Sequence, residues 1–214
     1  KNREAFLDNI AKNLGRKRKT SDVKRPRWDN QVQWNVLANH TEDELVDVLE
    51  QQCASIHTTL IRTNQKELDQ TLLKVVNDYG GQTVVTWDDP RFTTFGLDNH
   101  FSTWNEHDIK VQTWDVEQGD ESIRFAEQAD VGITFSDMTL AESGTVVLFS
   151  DQGKGRSVSL LPTTYIAIVP KSTIVPRMSQ VTREIHQRVE SGERVASCVN
   201  FITVKATYIV VEDR

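Results

Sequence analysis

From residue 41 onward, short runs of β-branched residues alternate with stretches in which apolar side chains recur at helical spacing. The strand-like runs are Thr59–Arg62, Thr83–Trp87, Ile109–Trp114, Val131–Thr134 and Tyr165–Val169. The helical stretches begin near Thr41, Asn64, Gly119 and Pro176, and a loop region containing Pro90 and Gly96 follows the second strand. Strands that alternate with helices of about ten to fifteen residues pair in parallel and are covered by helices on both faces. The pattern therefore predicts an α/β fold with a Rossmann-like, mostly parallel sheet flanked by helices.

The middle of the chain has a different pattern, in which strand-like runs follow one another without an intervening helix. Thr145–Phe149 and Arg156–Ser159 have the composition of strands, and the polar turn Asp151–Gly155 separates them. A polar turn with glycine between two apolar runs is typical of a hairpin. We expect an antiparallel hairpin as an extension of the parallel sheet.

The last apolar run is too long for an ordinary strand. Cys198–Val211 contains fourteen residues, with no glycine, proline or asparagine after Asn200. Strands usually contain about five or six residues. Either the run is one unusually long strand, or a turn is missing between Thr203 and Val204.

The first 40 residues form a separate region. Arg3–Leu14 places its apolar residues on one helical face, and Gly15 ends that helix. A basic run follows, made of Arg16, Lys17, Arg18, Lys19, Lys24, Arg25 and Arg27. Trp28 and Trp34 lie in the same irregular arm, where they pack on the body of the protein or on a second subunit, so self-association is one interpretation. We divide the chain into residues 1–40, a helix with a basic arm, and residues 41–214, an α/β domain.

Charge and hydropathy narrow the classes of function. The net charge of −6 and a pI of about 5.4 argue against general affinity for nucleic acids. We interpret the basic run as a solvated linker, and binding of an acidic partner or nucleic acid is the alternative. The sequence contains no apolar run near the ~18–20 residues that span a membrane and no signal peptide pattern. A cytoplasmic location is the expectation.

Cysteine and histidine spacing gives no metal site and no cofactor in this chain. The two cysteines, Cys53 and Cys198, cannot complete a four-thiolate cluster or a structural zinc site. Cys53 lies on the apolar side of a predicted helix. The five histidines lack ligand spacing, and His100 and His107, with Glu106 and Asp108 beside them, are the one cluster that a metal soak should test. Gly153-Lys154-Gly155 lacks the strand-to-helix context of a phosphate-binding loop.

The central segment supplies the candidate site. Thr134 ends a strand, where ligands of α/β sheets bind, and Glu142 follows after a short turn. Glu142 is the candidate general base if burial raises its pKa, and its alternative role is an ion pair with Arg156 across the hairpin. The candidate ligand-binding residues are Thr134, Ser143, Gly144, Thr145, Arg156, Asn200 and Thr203. We interpret Lys154 as a solvent-exposed residue at the tip of the hairpin, and binding of an anion is the alternative.

Several of these segments are similar to a known family. Val131–Leu148 resembles the signature of the lactate utilization (LUD) domain, and the N-terminal helix with its basic arm resembles the lactate utilization protein C family. The similarity covers most of the chain after residue 40. The other segments that support it are Gly80-Gly81, Asp89–Phe92, Gly155–Pro162, Ile166–Val169 and Asn200–Thr203.

The resemblance implies a LUD-type domain over residues 41–214, similar in fold to sugar-phosphate isomerases and CoA-transferases. It also implies participation in the oxidation of L-lactate to pyruvate beside two iron–sulfur partner proteins, which would hold the clusters that this chain lacks. A small carboxylate or acyl ligand would bind near the central segment. The rival is a freestanding acyl- or sugar-phosphate-type transferase or isomerase that uses Glu142. In the family pattern a loop of about twenty residues would separate Thr203 from Val204, and this sequence lacks it.

Overall fold

The computed structural model describes residues 2–21, 24, 29–196 and 198–213. Contacts within the chain divide it into two units, Lys1–Gln33 and Trp34–Arg214. The predicted domain boundary at residue 40 stays a prediction.

The first unit contains helix α1 (Asn2–Asn13), which agrees with the predicted N-terminal helix. The guanidinium of Arg18 lies 2.5 Å from Glu4 Oε2 and 3.2 Å from Asp8 Oδ1, so one residue of the basic run is neutralised by this helix. Arg25, Arg27 and Trp28 lie outside the described residues.

The second unit alternates strands with helices, as the sequence predicts. Its helices are α2 (Glu42–Ser55), α3 (Leu68–Asp78), α4 (Arg91–Thr94), α5 (Leu97–Trp104), α6 (Asp120–Gln128), α7 (Ser157–Leu160) and α8 (Met178–Glu190). Its strands are β1 (Thr59–Asn64), β2 (Thr83–Thr86), β3 (Lys110–Thr113), β4 (Val131–Phe135), β5 (Met138–Leu140), β6 (Thr145–Phe149), β7 (Thr164–Pro170), β8 (Ile174–Val175), β9 (Val199–Ile202) and β10 (Thr207–Glu212).

Six strands form a parallel sheet in the order β1-β10-β7-β4-β2-β3, and all five of its pairings are parallel. Every residue of β4 is buried, as is Thr207–Val211 of β10. Parallel strands covered on both faces have continuous apolar sequences of this kind. The predicted α/β fold with a mostly parallel, helix-flanked sheet is confirmed.

The helices around this sheet begin and pack as their sequences indicate. The Thr41 side chain accepts a hydrogen bond from the Glu44 backbone N–H, and the Glu44 carboxylate accepts one from the Thr41 N–H, which is a complete capping box. Cys53 on α2 is 1% exposed, in agreement with a core role. No helix among the described residues is long and apolar enough to cross a membrane.

The antiparallel extension lies one turn earlier than predicted. Strands β5 and β6 form the hairpin, and β6 also pairs antiparallel with β9 in a second sheet of order β8-β5-β6-β9. The prediction of a strand at Arg156–Ser159 is wrong, since Ser157–Leu160 is α7. After β6, the glycine turn crosses to the parallel sheet, where the Asp88 N–H donates to the Gly153 carbonyl at 3.0 Å. The chain therefore does not return along β6.

The long C-terminal run consists of two strands in different sheets. β9 belongs to the second sheet, and β10 lies between β1 and β7 in the first. The interpretation as one long strand is wrong, because the chain bends at residues 203–206. The Thr58 hydroxyl donates to the Val204 carbonyl at 2.7 Å and the Thr59 N–H to the Ala206 carbonyl at 3.0 Å, which stabilises the bend.

Two regions expected to be irregular contain structure. Residues 91–104 form α4 and α5, where Phe92 packs edge-on against Phe135 of β4 with ring centroids 5.0 Å apart. Trp34 packs against the body of its own unit, because the Arg183 guanidinium of α8 lies 3.5 Å from the centre of its ring. Phe92 and Trp34 are thus used in intramolecular packing.

Gly132 permits the close approach of α7 to β4. A methyl group at this position would lie 2.0 Å from the Val158 carbonyl oxygen, which belongs to the backbone and cannot rotate away. We predict that Gly132→Ala lowers the free energy of unfolding by about 3 kcal/mol, as expected for a forced backbone shift in a packed core. Urea denaturation followed by circular dichroism measures the effect.

The matched control is Lys74→Ala at an exposed position of α3, where the change should be within about 0.5 kcal/mol. Equal unfolding midpoints for the two variants would contradict the proposed packing.

Candidate functional site

The carboxyl ends of β2 and β4 border a crevice in the parallel sheet. The two strands are neighbours, but the chain leaves β2 toward β3 on one side and leaves β4 toward β7 on the other. Ligands of open α/β sheets bind outside the carboxyl ends of the strands at such a reversal of strand order. The geometry places a candidate site here.

The segment after β2 contributes a buried carboxylate and its counter-ion. The Asp89 side chain is 1% exposed. Arg91 Nε lies 3.0 Å from both Asp89 carboxylate oxygens, and Arg91 Nη2 lies 2.5 Å from Oδ2. The Arg91 backbone N–H also donates to Asp89 Oδ1 at 3.0 Å. Asp89 is therefore fixed by the first turn of α4.

Arg91 also joins this segment to the one after β4. Its Nη1 donates to the Ser136 carbonyl at 3.0 Å, and its Nη2 donates to Asp137 Oδ1 at 2.8 Å. The other Asp137 oxygen accepts a hydrogen bond of 2.7 Å from the Phe149 N–H of β6. One guanidinium thus holds two carboxylates from neighbouring strands and connects them to the second sheet.

Lys154 completes this cluster. Its Nζ lies 3.2 Å from Asp89 Oδ2 and 3.5 Å from Asp137 Oδ1, and its side chain is 16% exposed. We call Asp89, Arg91, Asp137 and Lys154 the charged crevice. Two cations face two carboxylates, so the cluster is balanced in charge.

The glycine turn before α7 determines the position of Lys154. A methyl group on Gly153 would lie 2.6 Å from the Asp88 carbonyl oxygen, and one on Gly155 would lie 2.2 Å from the Trp114 ring. The Trp87 indole N–H donates to the Gly155 carbonyl at 2.8 Å. Only glycine allows the turn to lie this close to the ends of β2 and β3.

The pKa of the Asp89 carboxyl reflects the charges around it. Burial alone would raise the pKa of the Asp89 carboxyl, because it disfavours the charged form. The hydrogen bonds from Arg91 and the positive charges of Arg91 and Lys154 outweigh burial, so the pKa lies below its ordinary value of 3.8. Asp89 is therefore ionised at neutral pH and holds both cations in place.

A hollow of about 840 Å³ opens beside Lys154. Its lining residues are Val116, Asp137, Phe149, Ser150, Asp151, Gln152, Lys154, Arg188, Arg194, Val195 and Ala196. Arg188 of α8 is oriented by Glu184, which accepts from its Nε at 2.8 Å, and by the Phe149 ring 5.0 Å away. The hollow thus combines three cations and the carboxylates of Asp137 and Asp151 with an apolar wall.

Glu142, the predicted general base, lies elsewhere. Its carboxylate accepts a hydrogen bond of 2.8 Å from Arg177 Nε, and its side chain is 41% exposed. The predicted alternative, an ion pair between Glu142 and Arg156, is wrong. The parallel pairing of β5 with β8 brings Arg177 beside Glu142 instead, and the Glu142 N–H donates to the Pro176 carbonyl.

Three predicted hydroxyl residues are brought together, but they bond to one another. Thr145 Oγ1 lies 2.7 Å from Ser143 Oγ and 2.6 Å from Thr203 Oγ1. Thr134 is fully buried, with its hydroxyl 2.7 Å from that of Tyr165. Gly144 has a positive φ of 64°, and its carbonyl accepts a hydrogen bond from Tyr208.

The remaining two predicted residues lie apart from that group. Arg156 is exposed at the start of α7, and Asn200 Nδ2 donates to Ser150 Oγ at 3.0 Å. The described residues that line the hollow include none of the eight predicted site residues, although Asn200 contacts the lining residue Ser150. A role of these eight residues in binding or catalysis stays a prediction.

Only the two carboxylates of the charged crevice have a positional signal in the sequence. Asp89 and Asp137 each follow a buried strand by two or three residues, at the end of the strand where ligands bind. The sequence places Lys154 at a hairpin tip, because the turn at residues 151–155 has the composition of a connection between two antiparallel strands, whereas the segment after it is α7.

Comparison with known proteins identifies relatives over the whole chain. The LUD domain family model matches residues 46–211. A protein named "Lactate utilization protein C" from Geobacillus sp. (strain WCH70) is 50% identical over 233 aligned positions, covering 100% of this chain and 97% of the relative. Proteins of the same name are 50% identical in Halalkalibacterium halodurans (99% and 98% covered) and 47% identical in Bacillus subtilis strain 168 (100% and 97% covered).

Among solved structures, a DUF162 family protein from Deinococcus radiodurans is similar in fold. Its TM-score is 0.57 at 17% identity, and the match covers 80% of this chain and 98% of that one. This likeness supports the α/β architecture alone.

The length of the alignments bears on the predicted loop. The match to the Geobacillus relative spans 233 positions, whereas this chain has 214 residues, so at least 19 positions have no counterpart here. This number agrees with a loop of about twenty residues. Its location between Thr203 and Val204 stays a prediction.

The Arg91 bridge generates a stability prediction. Arg91→Met leaves Asp89 and Asp137 without their main counter-ion, and removing one member of a buried ionic cluster costs about 3 kcal/mol or more. We therefore expect the urea midpoint to fall markedly. Arg124→Met on the exposed face of α6 is the matched control and should leave the midpoint unchanged. Equal midpoints for the two variants would show that the bridge contributes little.

The lowered pKa of Asp89 also predicts a dependence on pH. Its stabilising contribution is complete above the ordinary pKa of 3.8 and is lost as the pH falls through the lower value of the folded state. The difference in unfolding free energy between the native chain and Asp89→Asn should therefore shrink on acidification below about pH 4. Urea titrations over a pH series measure it, with exposed Asp151→Asn as the control. A difference that grows on acidification would disprove the ion pairing.

Proposed function

Because the chain belongs to the LUD domain family, we propose that it is a component of L-lactate degradation. The observation that supports this role is the 47–50% identity, over essentially the whole length of both chains, to proteins named Lactate utilization protein C. The aligned region includes the segments that form the charged crevice.

The proposed reaction is the oxidation of L-lactate to pyruvate, carried out together with two iron–sulfur partner proteins. The electrons pass to clusters on the partners, and this chain holds no cluster. Its two thiols support that division of labour. Burial raises the pKa of the Cys53 thiol to about 12, so it remains protonated inside α2, and Cys198 alone cannot hold a cluster.

Within this chain, we assign the proposed role in lactate oxidation to the charged crevice. It is held together by Arg91, which makes hydrogen bonds to three separate groups, and its Lys154 lines an open hollow. A preorganised cation in a site of low dielectric constant binds anions more strongly than a solvated one. The rival function, a transferase or isomerase that uses Glu142, is supported by no contact of that residue, which is exposed and paired with Arg177.

Reconstitution tests the proposal. We expect lactate-dependent reduction of a redox dye by the purified chain together with its two iron–sulfur partners, and a fall to background when this chain is omitted. Iron analysis should find metal in the partners only. Glu142→Gln should leave the rate unchanged.

Undiminished dye reduction without this chain would refute the role. Turnover of an acyl or sugar-phosphate substrate by the chain alone, lost in Glu142→Gln, would establish the rival instead.

A further inference from the structure

We propose that the hollow beside Lys154 binds a phosphate-bearing organic anion of nucleotide size. This inference goes beyond the role in lactate degradation and does not depend on it.

The charges of the lining are the first argument. Within the charged crevice Arg91 and Lys154 balance Asp89 and Asp137, so the two arginines of the hollow remain as further cations. Arg188 shares its charge with Glu184 through Nε, which leaves its terminal nitrogens available. Arg194 is exposed and has no charged partner among the residues that the structure describes. Lys154, Arg188 and Arg194 thus bring cations to one hollow from three separate segments, and the Asp151 carboxylate in the same lining offsets part of their charge.

The chemistry of these cations favours phosphate over a single carboxylate. A guanidinium presents paired N–H donors that match two oxygens of one phosphate group, and an ammonium binds as a point charge. Two arginines and one lysine can together contact a ligand with two or more negative charges. A monocarboxylate would satisfy one of them and leave the others in contact with solvent.

The size of the hollow is the second argument. Pockets that enclose cofactor-sized or drug-sized ligands measure roughly 300–1,000 Å³, and this hollow measures about 840 Å³. An acid of three carbons such as lactate would occupy a small part of it. The apolar wall of Phe149, Val195 and Ala196 offers a surface for the uncharged part of a larger ligand.

The position and rigidity of the site are the third argument. The hollow adjoins the reversal of strand order between β2 and β4, where α/β sheets bind small molecules. Asp89 and Asp137 hold Lys154 from one side, and the glycine turn holds its backbone. A cation fixed in advance pays little conformational entropy on binding.

Isothermal titration calorimetry with defined probes tests the proposal. The titrants are magnesium-free ADP, pyrophosphate, adenosine, L-lactate and pyruvate, all at one ionic strength. We expect ADP and pyrophosphate to bind, adenosine and the two monocarboxylates to bind far more weakly, and salt to reduce the ADP affinity.

Variants locate the binding. Arg194→Met should weaken ADP binding roughly tenfold, as expected for the loss of one charged contact, and Lys154→Met should do the same. Lys74→Met, an exposed cation on α3, is the matched control and should have no effect. Arg194 decides the test, because it makes no contact within the charged crevice and its removal should not affect folding, which the urea midpoint verifies.

Three results would overturn the proposal. They are the absence of ADP and pyrophosphate binding, equal ADP affinity in Arg194→Met and Lys74→Met, and binding of lactate or pyruvate alone with dependence on Arg194. None of these would bear on the dye-reduction assay, so this proposal and the role in lactate degradation can fail separately.

Discussion

The bridge that Arg91 makes between Asp89 and Asp137 is the interaction on which the candidate site depends. A carboxylate that is 1% exposed would be costly to bury alone, and the same guanidinium compensates it and reaches the segment after the next strand. Because Asp137 also accepts the Phe149 N–H, the bridge connects the parallel sheet to the second sheet. It fixes the relative position of two strand ends, and Lys154 lies between the same two carboxylates as a second cation.

The bridge also explains why the glycine turn matters. The Lys154 ammonium lies between the carboxylates of Asp89 and Asp137. Gly153 and Gly155 allow the backbone to come close enough for these contacts. The ammonium is thereby held in the lining of the hollow, beside Arg188 and Arg194. The backbone geometry of the glycine turn thus permits the ion pairs of Lys154, and these ion pairs position Lys154 in the proposed ligand site.

The architecture could be predicted from the sequence because buried strands and helices have recognisable patterns of apolar residues. The fully apolar strand β4 and the capping box of Thr41 and Glu44 can be recognised without any knowledge of neighbours. The charged crevice could not be recognised in this way. Asp89 and Asp137 lie 48 positions apart, and they meet only through the register that pairs Val84 with Val131. The partner of Glu142 likewise depends on β8, a strand of two residues that no periodicity indicates.

A double-mutant cycle tests the central claim most directly. Unfolding free energies would be measured for the native chain, Arg91→Met, Asp137→Asn and the double variant. If the guanidinium and this carboxylate stabilise each other, the double variant should be less destabilised than the two single changes together predict, by about 1–3 kcal/mol. Additive changes, within about 0.5 kcal/mol, would show that Arg91 does not couple the two strand ends and would remove the basis of the site.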